Sequence, residues 1–142
     1  MTRMYWLLLA SVYVLLGTPI AAFAGPVVDI QGLLNQSRAE TMAMLSEADK
    51  TVLEMRYDDA LASSKKLDVR LEQALSDKTQ QTQRASLEKF KEIWEVFKVT
   101  RDKEIVPMLM SGKQDKARAL AKYVQFPRFQ KMNQILDAAR TR

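Results

Sequence analysis

Leu87, Phe90, Trp94, Phe97, Arg101, Glu104 and Met108 recur at alternating steps of three and four. That spacing draws one stripe along an α-helix. Ile93, Val96, Val99, Val106 and Leu109 broaden the stripe, so this helix is expected to bury more than one side. Gly112 follows as a C-terminal cap. A helix so apolar, holding one of the two tryptophans, cannot stand alone in water. The other segments of the chain have to cover it.

The rest of the chain also reads as helix. After Gly25 only Gly32 and Gly112 interrupt it, and after Pro26 only Pro107 and Pro127. Strand-like alternation of β-branched residues is missing, and good helix formers dominate. The first helix starts at Val27 or Val28 and buries Ile30, Leu34, Ser37, Thr41, Met44 or Leu45, Ala48 and Val52. The second buries Leu53 or Tyr57, then Ala60, Ser64, Leu67, Leu71, Ala74 and Leu75. The two stripes are out of phase, which places a turn within 46–58. Ser46 to Asp49 offers a capping box for it, with Asp58 or Asp59 as alternative caps. One long helix over 28–75 with a stutter is the competing reading.

Residues 76–82 form a polar break. Helix three then covers about 80–111, with Pro107 freeing the Lys103 carbonyl and loosening the last turn. Helix four covers about 114–140 on a stripe of Ala117, Leu120 or Ala121, Val124, Arg128, Met132, Ile135 and Ala139. Pro127 frees the Tyr123 carbonyl, and Phe126 and Phe129 flank the expected kink. Short connections make successive helices antiparallel. The expected fold is all-α: an up-down-up-down antiparallel four-helix bundle over 25–142.

Residues 1–24 are of a different kind. Arg3 precedes the uncharged run 4–24, which ends in Ala22-Phe23-Ala24. This has the layout of a signal peptide. A retained anchor helix is the alternative, since about 20 apolar residues span a bilayer. Either reading puts 25–142 outside the cytoplasm, periplasmic or secreted. The membrane would be touched only through 4–24.

Arg3 is the only charged residue before Asp29, so 25–142 keep 21 basic and all 17 acidic side chains, a net +4. The signs alternate, as on a solvated helix face. No basic block offers a grip on a phosphate backbone, so nucleic acid is not an expected partner. Cysteine and histidine are both absent. That removes c-type haem attachment, Cys/His zinc sites and Ser–His or Cys–His nucleophiles. No cofactor, metal or enzymatic activity is expected. Met42 with Met44, and Met108 with Met110, are two apart and so do not face each other as a thioether site.

The runs Leu87-x-x-Phe90-x-x-x-Trp94-x-x-Phe97-x-x-x-Arg101, Ile105 to Gly112, Lys116-Ala117-x-x-Leu120 and Pro127-x-Phe129-x-x-Met132-x-x-Ile135-Leu136 resemble the sensor domain of methyl-accepting chemotaxis receptors. The resemblance covers 85–142 well and 27–80 loosely. It implies a periplasmic four-helix bundle that senses small metabolites, dimerises, and signals through small shifts of helix four. A receptor would continue into a second membrane span and a signalling coil, whereas this chain stops at Arg142, so the resemblance is to the sensor module alone. The expected partners are a small-molecule ligand and either a second copy of the chain or a separate membrane sensor. An exported helical chaperone is the alternative function.

From the residues themselves, Trp94, Arg101 and Arg128 are the candidate ligand-binding positions. Trp94 offers a ring platform, although core packing is the commoner use of an aromatic at helical spacing. Arg101 shares its stripe and can grip a carboxylate bidentately. Its usual role is to pair with a nearby acid or to cover apolar surface with its stem. Arg128 stands beside a proline that frees backbone groups.

Overall fold

The computed structural model describes residues 25–141, all but a few of them helical, with no strand among them. The signal peptide or anchor expected over 1–24 lies outside the described residues. Helix α1 is Pro26–Leu45 and α2 is Lys50–Ser76. A short 3-10 turn, Lys78–Gln80, leads into α3, which covers 81–110. Helix α4 covers 114–140. No helix of the described residues is long and apolar enough to cross a membrane.

Local chemistry sets the ends. Pro26 occupies the first turn of α1, where a missing N–H costs nothing. Ser46 closes α1 with its N–H on the carbonyls of Ala43 and Met44. The turn within 46–58 is thus at 46–49, and Asp49 is the cap of α2. Its carboxylate accepts from the N–H groups of Thr51 and Val52 at 2.8 and 3.1 Å. Asp58 and Asp59 lie inside α2, and the two helices are separate. Ala48, expected on the buried stripe, is exposed in the turn. Asp77 caps the 3-10 turn by accepting from Thr79 N–H and hydroxyl. Gly112, with φ +73°, closes α3 as Lys113 N–H reaches the Met108 carbonyl and Gly112 N–H the Leu109 carbonyl.

Both internal prolines are preceded by a π turn, Arg101–Ile105 in α3 and Ala121–Gln125 in α4. In each, the residue just before the proline donates its N–H five residues back, Val106 to Arg101 and Phe126 to Ala121. The wider turn takes up an extra residue where a proline ring would otherwise press on the carbonyl four residues earlier. The extra residue also delays the stripe. Ile105 is buried where Glu104 was expected, Glu104 is exposed, and Val106 and Leu109, expected beside the stripe, carry it on in place of Met108. In α4, Gln125 and Leu136 are buried in place of Val124 and Ile135, while Ala117, Ala121, Met132 and Ala139 are buried as expected. Val96 and Val99 are exposed as well, so α3 buries a narrower face than its composition suggests.

The apolar residues collect into two clusters. One joins Val27, Ile30 and Leu34 of α1 with Leu67 and Leu71 of α2, Leu87 to Phe97 of α3, and Met132, Leu136 and Ala139 of α4. The other joins Met44 and Leu45 with Leu53, Ala60, Ile105, Val106, Leu109, Ala117 and Ala121. Between them every helix carries buried polar residues: Ser37 and Thr41, Ser63 and Ser64, Thr100 and Arg101, and Gln125.

Candidate functional site

Small hydroxyl residues on α1 and α2 create the space that this polar layer needs. Ser63 and Ser64 both donate to the Ala60 carbonyl, at 3.1 and 2.7 Å, and Thr41 donates to the Ser37 carbonyl at 2.9 Å. Because the Ser64 hydrogen is committed to Ala60, Ser37 donates across to Ser64 at 3.3 Å. Arg101 comes into this pocket of oxygens from the π turn of α3. Its Nη1 donates to Ser64 Oγ at 2.7 Å and reaches Ser37 Oγ and the Ala60 carbonyl at 3.4 Å. Its Nε donates to Asp102 Oδ1 at 2.7 Å. The guanidinium is fully buried, while the Asp102 side chain keeps contact with solvent. A charge placed so deep is tolerable only with this many acceptors. Tyr57, half-buried nearby, has its phenol pKa pushed up, first by burial and then by the negative charge of Asp102.

The other half of the layer joins α3 to α4. Gln125 donates to the Phe97 carbonyl at 2.8 Å, and Arg128 donates to Thr100 Oγ1 at 2.7 Å and to Gln125 Oε1 at 3.2 Å. Arg101 and Arg128 are therefore brought to one level, Arg101 bonded to Ser64 of α2 and Arg128 to Thr100, the residue next to Arg101. Trp94 lies outside the layer. Its rings are buried and stacked on Phe97 at 5.6 Å, and its indole N–H donates to Asp68 at 2.6 Å. Lys98 holds the same carboxylate at 2.8 Å.

Beside this layer a groove of about 450 Å³ runs between α1 and α4. Arg38, Met42, Leu45, Ser46, Arg118, Ala121, Lys122 and Phe126 line it. Three cations face it and no carboxylate does. Arg38 lies over the rings of Phe126 and Phe129, at 5.3 and 4.5 Å from their centres. Arg118 donates to the Leu45 carbonyl at 3.1 Å, at the C-terminal end of α1. A narrow gap of about 20 Å³ continues inward past Arg38 and Phe126 to Thr41, Phe97 and Gln125. The groove thus touches the outer edge of the polar layer at the π turn of α4. Neither groove nor gap is lined by Trp94, Arg101 or Arg128.

The arrangement can hold an anion with an apolar body: cations at the rim, Met42 and Phe126 at the walls. Among the described residues no cluster of acidic side chains is placed to hold a metal ion. The phenylalanines flanking Pro127 were visible in the sequence, but nothing there connects them with Arg38, far away in α1. No protein-family model matches the chain, and no curated protein or solved structure matches it.

Proposed function

We propose that the chain is an exported sensor module: a non-enzymatic four-helix bundle of the up-down-up-down, antiparallel kind, binding a small ligand in signal transduction as the sensor domain of a chemotaxis receptor does. Pairings along the helices support the topology. Asp29 early in α1 meets Arg70 late in α2, and Arg101 of α3 meets Ser64 where Trp94 meets Asp68. Gln31 early in α1 meets Asn133 and Asp137 late in α4, while Arg118 early in α4 meets Leu45 at the end of α1. Export rests on the character of residues 1–24.

The observation that carries the ligand reading is the α1/α4 groove, with three cations, apolar walls and an inner gap ending on Gln125. Its size is within the ~300–1,000 Å³ of small-molecule sites. The ligand class it fits is a carboxylate with an aromatic or branched aliphatic body. Such a ligand would pair with Arg38 and Lys122, compete with Asp115 for Arg118, and press on Phe126, just past the π turn. Movement there is passed to Gln125, Arg128 and Thr100 and so to α3.

Thermal-shift and calorimetric screening against aromatic carboxylates, branched-chain acids and amino acids tests this. A saturable stabilisation by one class is expected, weakened at least tenfold by Arg38→Ala. No response to any class, with suppression of client-protein aggregation instead, would replace this reading by that of an exported chaperone.

A further inference from the structure

The outer face of α2 carries a second pattern, independent of the α1/α4 groove. Met55, Ala62 and Val69 stand at steps of seven, and all three are exposed, Met55 by 63% and Val69 by 51%. Steps of seven keep residues on one line of a helix, the seam along which two helices pack. Around the central alanine the charges are arranged by sign. Asp58 and Asp59 precede it, and Lys65 and Lys66 follow it. All four are exposed, and none makes an ion pair among the described residues.

We propose that this face binds a second copy of the chain, with the two α2 helices antiparallel about a two-fold axis at Ala62. At 100° per residue, Asp58 and Lys65 fall on one flank of the seam, and Asp59 and Lys66 on the other. A two-fold axis perpendicular to the helix reverses the order along it and keeps each flank opposite itself. Each Asp58 then faces Lys65 of the second copy and each Asp59 faces Lys66. Met55 faces Val69, and the two Ala62 side chains meet where the helices approach most closely. The same surface is used by both copies, so the assembly closes as a dimer. A parallel, in-register pairing is excluded by the same residues, since it sets aspartate on aspartate and lysine on lysine.

The ground beside the seam fits this occupant. A groove of about 920 Å³ lies between α1 and α2, walled by Gly32, Leu33, Ala62 and Val69. A Cβ added at Gly32 would meet nothing within 4 Å, so no contact inside the chain requires glycine there. Glycine keeps the floor low where Met55 of the second copy reaches past Val69. The pairing also puts the Pro26 ends of the two copies at opposite ends of the dimer.

The chain has no cysteine, so single cysteines report cleanly. Sedimentation of residues 25–142 at tens of micromolar is expected to show a dimer. Asp58→Lys with Asp59→Lys should weaken it about thirtyfold, as four modest ion pairs are lost. Adding Lys65→Asp and Lys66→Asp to that variant should restore it. Under mild oxidation, Asp58→Cys and Lys65→Cys chains should cross-link when mixed and not when alone. A monomeric wild-type chain overturns the proposal. So does a dimer indifferent to the charge reversal, or an Asp58→Cys chain that cross-links with itself.

Discussion

Trp94 buries its rings completely and still keeps its indole N–H on a carboxylate that reaches solvent. Position on the α3 stripe explains the burial, and Asp68 on α2 explains why a tryptophan can be tolerated there without stranding a donor. Trp94→Ala should cost about 3–5 kcal/mol in chemical denaturation. Trp94→Phe, which keeps most of the ring and drops the N–H, should cost about 1–2 kcal/mol. Tyr57 gives a pH test. Burial and Asp102 raise its folded pKa above the unfolded value. The folded state then holds the phenolic proton more tightly, and its contribution is complete below the unfolded pKa. As pH rises through the unfolded and then the folded pKa, that contribution is lost. Stability measured across the alkaline range should fall less steeply for Tyr57→Phe than for the wild-type chain. Burial of Ser37, Thr41, Ser64 and Arg101 was readable from helical spacing. Their mutual bonds were not, because spacing gives the face of a residue and not what stands opposite.

At the scale of elements, the two glycines of the described helices and turns divide in role. Gly112 has a left-handed φ that closes α3, and Gly112→Ala should destabilise by about 1 kcal/mol. Gly32 has an ordinary helical backbone and open space around it, so Gly32→Ala should stabilise the free chain by about 0.5–1 kcal/mol. Thermal melts of the two variants, taken at a concentration too low for association, should move in opposite directions. The ends at 76–82 and Gly112 were legible because caps are local, whereas the α1/α2 turn was not: three candidate caps stood within 46–58, and Asp49 caps α2 by itself instead of closing a box with Ser46. The π turns were not. Each proline announced a disturbance, but whether the backbone kinks or admits an extra residue depends on which choice aligns the following stripe with the core. Both turns kept the helix continuous and moved Ile105 and Gln125 inward.

Across the described residues, two apolar clusters are separated by a polar layer that crosses all four helices. Arg101 is the centre of that layer. Arg101→Ala should cost about 3–5 kcal/mol, because Asp102 and the serine hydroxyls lose their donor. Arg101→Met combined with Ser37→Ala and Ser64→Ala should regain most of that loss, since an apolar layer of similar volume has no polar atom to satisfy. Urea unfolding of the two variants beside the wild type makes the comparison. If the triple variant unfolds no earlier than the wild type, the polar layer is not what holds the four helices together.

The sequence by itself determined that residues 25–141 are helical, where the helices begin and end apart from the α1/α2 boundary within 46–58, and nearly which residues turn inward. Those properties follow from bonds and caps that reach no more than one turn along the chain. Only the tertiary structure decided that the inward stripes are delayed after each π turn, that Val96 and Val99 stay in solvent, and that Arg38 meets Phe126. It also decided where the groove lies. Its walls come from α1 and α4, at opposite ends of the chain, and no periodicity within one helix encodes which face of another it will meet.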